Sequence, residues 1–190
     1  MTRAEDTALV LLAAGASRRF GAGDKLIAPF DGKPLGLHAV AALASIPFAI
    51  RIAVVSGTAL DLAAHGFHCV PNHRQADGLA HSIGLGVQAA REAGVQAVLI
   101  ALADMPRITA AHVGHLLAEA DGPDAVVASS NGEVAMPPVL FGRRHFDALS
   151  GRTGDAGPRA LIRTGKSIIA AAGELADVDT PEDLARLTYA

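Results

Sequence analysis

Leu12-Ala13-Ala14-Gly15-Ala16-Ser17-Arg18-Arg19-Phe20-Gly21-Ala22-Gly23-Asp24-Lys25-Leu26 is the stretch on which the reading of this chain turns. It follows an apolar run, Ala8 to Leu12, that reads as a buried β-strand. A strand that opens into small residues, two arginines and a lysine is suited to a flexible polyanion. Small residues let backbone amides approach phosphate oxygens, and Arg18 and Lys25 add positive charge. A surface turn with solvated charges is the plainer alternative. Placement after a first buried strand, where open α/β sheets bind ligands, favours the phosphate reading. Two other phosphate loops are excluded by spacing. A P-loop needs Gly-Lys-Ser/Thr, but Lys25 lies between Asp24 and Leu26. The dinucleotide fingerprint needs a third glycine, and Gly21-x-Gly23 is followed by Leu26.

The rest of the chain is consistent with an α/β fold. At 190 residues it is long enough for one domain with a substantial core. Apolar residues make up 51% and aromatics only 4%, which suits alanine-rich helices packed on aliphatic strands. A net charge of −3 speaks against nucleic-acid binding, which favours a basic face, but not against one phosphorylated ligand. The single cysteine, Cys69, excludes an internal disulfide, and its apolar neighbours suggest a core position. The N-terminal residues Met1 to Asp6 lack the apolar centre of a signal peptide, and no run is long enough to span a membrane. A soluble, reduced, cytoplasmic protein is the expectation.

Apolar runs alternate with helix-period segments, the pattern of a largely parallel sheet covered by helices. Strands are expected at Thr7 to Ala13, Arg51 to Ser56, Phe67 to Val70, Ala97 to Leu102, Asp124 to Ala128 and Ser167 to Ala171. Helices are expected at Leu35 to Ala44, Leu79 to Ala93, Ala110 to Ala120, Arg143 to Leu149, Gly157 to Arg163 and from Pro181 onward. The last has a start signal: Thr180 as cap, Pro181 in the first turn, and Glu182 and Asp183 at the positive end. Ser129 to Phe141 breaks the rhythm. Ser129 to Gly132 reads as a turn, and Met136-Pro137-Pro138-Val139-Leu140-Phe141 as extended chain. A strand of opposite direction, an inserted hairpin lining a pocket and a plain surface connection all fit. No repeat or linker divides residues 1–190.

Several residues can carry chemistry. Asp104 follows the apolar run Ala97 to Leu102, so its carboxylate emerges where ligands bind in this architecture. Magnesium is usually held by one or two such carboxylates plus substrate phosphates; otherwise Asp104 caps a turn before Pro106. Asp177 and Asp179 point the same way if extended, and serve either a metal or the helix that follows. Gly78 to Ile83 opens a helix whose free amides, with Ser82, suit an anion. Gly154-Asp155-Ala156-Gly157-Pro158-Arg159 is either a capped helix start or a polar acceptor site. The pairs His112/His115 and His65/His68 lack a third ligand for zinc. No Gly-x-Ser-x-Gly elbow is present, so serine hydrolysis has no support.

Leu12-Ala13-Ala14-Gly15, Ser17-Arg18-Arg19-Phe20-Gly21 and the pair Asp24-Lys25 resemble the signature loop of the MobA-like nucleotidyltransferases, and Ala28 to Leu35 continues the match. Asp104 with Pro106, Asp177 to Asp183, Gly78 to Ser82 and Gly154 to Arg159 resemble further motifs of that family in the same order. The resemblance runs from Val10 to Leu187. It implies a Rossmann-like three-layer fold of the nucleotide-diphospho-sugar transferase type, with a mostly parallel central sheet. It also implies catalytic roles for Arg18, Lys25 and Asp104, and nucleotide contacts from Leu12, Ala13, Ala14, Gly15, Lys25, Gly78 and Ser82. Acceptor contacts fall to Pro138, Asp155 and Arg159, and Mg2+ (with Mn2+ as substitute) to Asp104 and Asp179. The Ala-Ala-Gly form is similar to the CTP-using molybdenum cofactor cytidylyltransferases; the GTP branch usually reads Ala-Gly-Gly, so this preference rests on Ala14. The implied reaction joins CMP from CTP to the phosphate of molybdopterin and releases pyrophosphate, with a molybdoenzyme or its chaperone to receive the product. GTP as donor, or another acceptor such as a sugar phosphate, is the alternative. A nucleotide-binding module without turnover and a nicotinamide dehydrogenase stand further off. His81 and Gly84 depart from the family's usual two serines and arginine, which leaves the base contacts open.

Overall fold

The computed structural model describes residues 2–15, 19–21, 23–151 and 156–188. Strand β1 (Thr7–Ala13) is its axis, and all seven residues are buried. Successive side chains alternate between two cores, as the period of a strand requires. Leu9, Leu11 and Ala13 enter one core with α1 (Gly36–Ala42) and α3 (Ala110–Glu119). Ala8, Val10 and Leu12 enter the other with α2 (Leu79–Glu92) and α4 (Phe146–Ser150). Side chains of α5 (Ala156–Thr164) pack at that second core's margin. The result is a sheet between two helical layers.

After a small hairpin, β2 (Pro29–Phe30) and β3 (Lys33–Pro34), the main sheet continues. Its strands are β4 (Ile50–Val55), β5 (His68–Pro71), β6 (Ala97–Leu102), β7 (Val126–Ser130), β8 (Ala135–Gly142) and β9 (Lys166–Ile169). The seven-stranded order is β5-β4-β1-β6-β8-β7-β9. Strand β1 pairs in parallel with β4 on one side and β6 on the other. The chain thus leaves β1 toward one edge and later returns to its opposite flank, the switch point where a crevice opens beyond the strand ends. The ends of β1 and β6 are in register there, Leu12 beside Leu102.

Strand β8 runs antiparallel to both β6 and β7, so the break in rhythm is a strand of opposite direction. Ser129 and Ser130 belong to β7 rather than to a turn, which falls at 131–134. The reason is satisfaction of a buried hydroxyl: Ser129 Oγ donates to Pro138 O at 2.8 Å and bonds His112 Nε2 at 2.8 Å. The expected helix at Arg143 to Leu149 is a 3-10 turn, Arg143–His145, followed by α4. Cys69 lies half-buried on the edge strand β5, packed against the core rather than within it, and burial raises its thiol pKa.

The last helix, α6 (Pro181–Thr188), begins as expected, with Asp183 N donating to Thr180 Oγ1 at 3.1 Å. Leu184 and Leu187 pack with Phe20 on a small core of Phe30, Leu35 and Val178. That cluster draws the C-terminal segment against the hairpin that follows the glycine-rich loop. No helix among the described residues is long and apolar enough to cross a membrane.

Candidate active site

A cleft of about 680 Å³ opens beyond the ends of β1 and β6. Its floor is Leu12, Ala14 and Gly15 from β1's end and Leu102 and Asp104 from β6's end. Gly78, just before α2, with Leu79 and Ser82 of α2 forms one wall, and Asp177 and Asp179 another. Ala13 turns into the core and does not line the cleft. Arg18 and Asp155 lie outside the described residues.

Lys25 reaches this cleft because Asp24 shapes the turn before it. Asp24 Oδ1 accepts from Leu26 N at 3.0 Å, which caps a 3-10 turn over Lys25–Ile27. Its other oxygen accepts from Thr58 Oγ1 at 2.6 Å and Ala59 N at 2.9 Å, pinning the loop after β4. Lys25 is only 5% exposed. Its ammonium donates to Asp104 Oδ2 at 2.6 Å, Val178 O at 2.9 Å and Asp179 Oδ1 at 3.4 Å. Arg19 pairs with the other oxygen of Asp179 at 2.6 Å. Val178 N donates to Asp104 O at 3.0 Å, which fastens the C-terminal segment to the end of β6.

Three carboxylates, Asp104, Asp177 and Asp179, therefore line one cleft. Burial raises the pKa of Asp177, and the negative charges of Asp179 and Asp104 raise it further. Asp104 Oδ1 is buried without a hydrogen-bond partner among the described residues. An unpaired buried carboxylate oxygen is costly, and a hard cation is the ligand that best relieves it. Among the described residues, no group of three or more His, Cys, Asp or Glu side chains is placed to hold a metal. A divalent ion on Asp104 and Asp179 would therefore complete its ligand set with substrate phosphates, a usual arrangement for magnesium.

The α2 wall is held by two residues that sequence reasoning passed over. Asn72 is buried, donates Nδ2 to Ser82 Oγ at 2.9 Å and accepts from Arg74 N at 2.8 Å. Gln75 Nε2 donates to Ala14 O at 3.0 Å and ties this segment to the loop after β1. Gly78 sits at φ 84°, ψ −175°, a conformation open to glycine, and so starts the helix toward the cleft. Asn72 follows directly on strand β5, and its residue type alone assigns it no role. The missing signal was that a buried asparagine must find partners.

Beside the main cleft, an apolar cavity of about 220 Å³ shares Leu79 and Arg159 with it. Pro137 lines it; Pro138 does not, and its carbonyl is taken by Ser129. The sequence places residues 9–171 in the MobA-like NTP transferase domain, across both the glycine-rich loop and Asp104. The chain belongs to the MobA-like NTP transferase family.

Relatives of this MobA-like chain carry diverse names. It is 31% identical over 191 residues to the purine catabolism protein PucB of Bacillus subtilis, covering 92% of each chain. It is 30% identical over 198 residues to nicotine blue oxidoreductase of Paenarthrobacter nicotinovorans, covering 94% of each. Among solved structures, a mycobacterial Rv0371c homologue from strain JC1 superposes with a TM-score of 0.79 at 28% identity, over 97% of this chain and 96% of that one. Rv0371c of Mycobacterium tuberculosis, solved as a complex with manganese, shares the fold with a TM-score of 0.72 at 19% identity, over 97% of this chain and 98% of that one.

Proposed function

We propose that this protein is a molybdenum cofactor cytidylyltransferase, which joins CMP from CTP to the phosphate of molybdopterin. The observation that carries the transferase reading is the meeting of Lys25, Asp104 and Asp179 beside the small-residue loop Ala14–Gly15. A phosphate oxygen of the acceptor attacks the α-phosphorus of CTP. The bond from that phosphorus to the bridging oxygen breaks, and pyrophosphate leaves with the electron pair. The attacking oxygen is already anionic, so no strong general base is required. The chain must instead bring two polyanions together and stabilise the leaving charge.

Lys25 supplies a buried positive charge for the phosphates, and Arg18 a second one from the same loop. Backbone amides at Ala14, Gly15 and the start of α2 receive phosphate oxygens, with Ser82 beside them. Asp104 and Asp179 are the residues to hold a divalent ion, Mg2+ by preference. Bound there, the ion would shield the phosphates and stabilise pyrophosphate as it departs. Ala14, where the GTP branch usually carries glycine, supports CTP as donor.

The apolar cavity supports a flat ring acceptor over a sugar phosphate. Of its lining residues among those described, only Arg159 is charged, and Pro137 and Pro158 lack an N–H. Sugar hydroxyls buried there would go unpaired at about 1–3 kcal/mol each, while a ring that enters by its face and keeps its polar edge toward Arg159 and the main cleft loses little. Arg159 and Asp155 are assigned to the acceptor's polar groups, and a molybdoenzyme or its chaperone would collect the product. The missing glycine fingerprint weighs against a nicotinamide reaction. The test is pyrophosphate release from CTP, GTP, ATP and UTP with magnesium, each with and without molybdenum-loaded molybdopterin. Release from CTP only with the pterin is expected. Preference for GTP would keep the chemistry and overturn the inference from Ala14, and silence with every nucleotide would overturn the molybdopterin reading.

A further inference from the structure

We propose that Lys25 is the resident cation of the Asp104–Asp179 pair, so that a divalent ion joins this site together with a nucleotide polyphosphate and not ahead of it. An ammonium has three protons to donate. All three of Lys25 are taken, by Asp104 Oδ2, Val178 O and Asp179 Oδ1. These acceptors include both carboxylates placed to hold a metal, so the lysine already offsets one of their two charges from between them, and Arg19 on Asp179 offsets the other. Burial of Lys25 makes its charge expensive to strand without a partner.

A dication arriving alone would displace Lys25 from these oxygens and then face its positive charge at short range in a poorly screened site. Arg19 on Asp179 adds to that repulsion. Among the described residues lining the cleft, the further negative charge facing the pair is Asp177, on the same segment as Asp179. A polyphosphate in the cleft changes this balance, because Lys25 then exchanges carboxylate oxygens for phosphate oxygens and releases the aspartates. The coupling is thus built into the position of one side chain. Only the identity of the polyphosphate rests on the transferase reading.

The experiment is a manganese titration of the full chain without nucleotide, with free Mn2+ read by electron paramagnetic resonance. Lys25→Met keeps an unbranched side chain, one atom shorter, and removes its charge. It is expected to tighten Mn2+ binding by about tenfold or more; unchanged or weaker binding would overturn the proposal. Arg19→Gln, which removes an exposed charge, is expected to alter binding by less than about threefold. A tightening as large as that of Lys25→Met would refer the effect to general charge and overturn the assignment to Lys25. Wild type gives a second measurement that needs no variant. Magnesium alone should leave its thermal midpoint unchanged, and magnesium with a non-hydrolysable CTP analogue should raise it. An equal rise with magnesium alone would overturn the proposal. Should the analogue fail to bind while Lys25→Met still tightens Mn2+, the nucleotide reading falls and the resident-cation role of Lys25 holds.

Discussion

Two glycines a half-turn apart on α2 should respond in opposite ways to the same substitution. A Cβ built on Gly86 would lie 2.3 Å from Val10 Cγ1 and 3.2 Å from Val54 Cγ2. Carbon atoms prefer about 3.5–4.0 Å, so the first contact is more than an ångström too short. Val10 is fully buried in β1, and its branched side chain has little freedom to turn away. Overpacking of this kind costs about 1–3 kcal/mol, against about 1 kcal/mol gained by replacing glycine inside a helix. Gly86→Ala should therefore destabilise by up to about 2 kcal/mol. A Cβ on Gly84 would lie 3.5 Å from Leu149 O and 3.7 Å from Ser150 Cα, ordinary contact distances. There the helix gain stands nearly alone, and Gly84→Ala should stabilise by up to about 1 kcal/mol. The assay is urea unfolding of both variants, with unchanged m-values as the check that only stability has moved. Because α2 also carries Gly78 and Ser82 into the cleft, Gly86→Ala should raise the KM for nucleotide, whereas Gly84→Ala should not. Adding Val10→Ala should recover part of the Gly86→Ala loss, as coupling between touching side chains requires. Shifts of the same sign and size at both glycines would refute the packing argument.

Lys25→Ala should lower turnover by about tenfold or more while circular dichroism stays native; near-normal turnover from the folded variant would remove Lys25 from the mechanism. Asp104→Ala should abolish metal-dependent turnover, and activity with an unchanged metal requirement would count against its place in the site. Asp183 supplies a pH dependence. The neighbouring Thr180 hydroxyl, the Thr180 and Asp179 N–H groups and Arg186 hold its pKa down to about 2. Between about 2 and the ordinary aspartate value the unfolded chain binds the proton more readily, so this stabilisation is present above that window and lost as pH falls through it. The stability gap between wild type and Asp183→Asn should accordingly narrow from pH 5 to pH 2 in urea unfolding; a constant gap would show that the carboxylate's charge is irrelevant.

What was legible in the sequence follows from how local each cause is. Strands β1 and β6 stood out because both faces are buried and the apolar run is unbroken. The start of β7 was placed too early and its serines were given to a turn, because their burial depends on His112 and on β8. The glycine-rich loop, Asp104 and the aspartates after Asp177 were visible as types at informative places. Their partners were not. Asp24 bonds Thr58, 34 residues away, and Gln75 bonds Ala14, 61 residues away. Lys25 meets Asp179 across 154 residues. No periodicity encodes such pairings; they appear only when β1, β6 and the C-terminal segment are brought to one edge of the sheet.

Helix α6 has no fully buried residue, and its apolar side chains Leu184 and Leu187 rest on a cluster whose buried members are Phe30, Leu35 and Val178. This segment nevertheless delivers Asp179 and the Val178 carbonyl to Lys25. Elements with so little buried surface open at a small fraction of the global unfolding free energy. The site is thus a junction between a rigid scaffold and a loosely held piece. Warming should silence catalysis while the sheet is still intact, and nucleotide, by gripping both sides of the junction, should postpone that loss more than it raises the melting of the sheet.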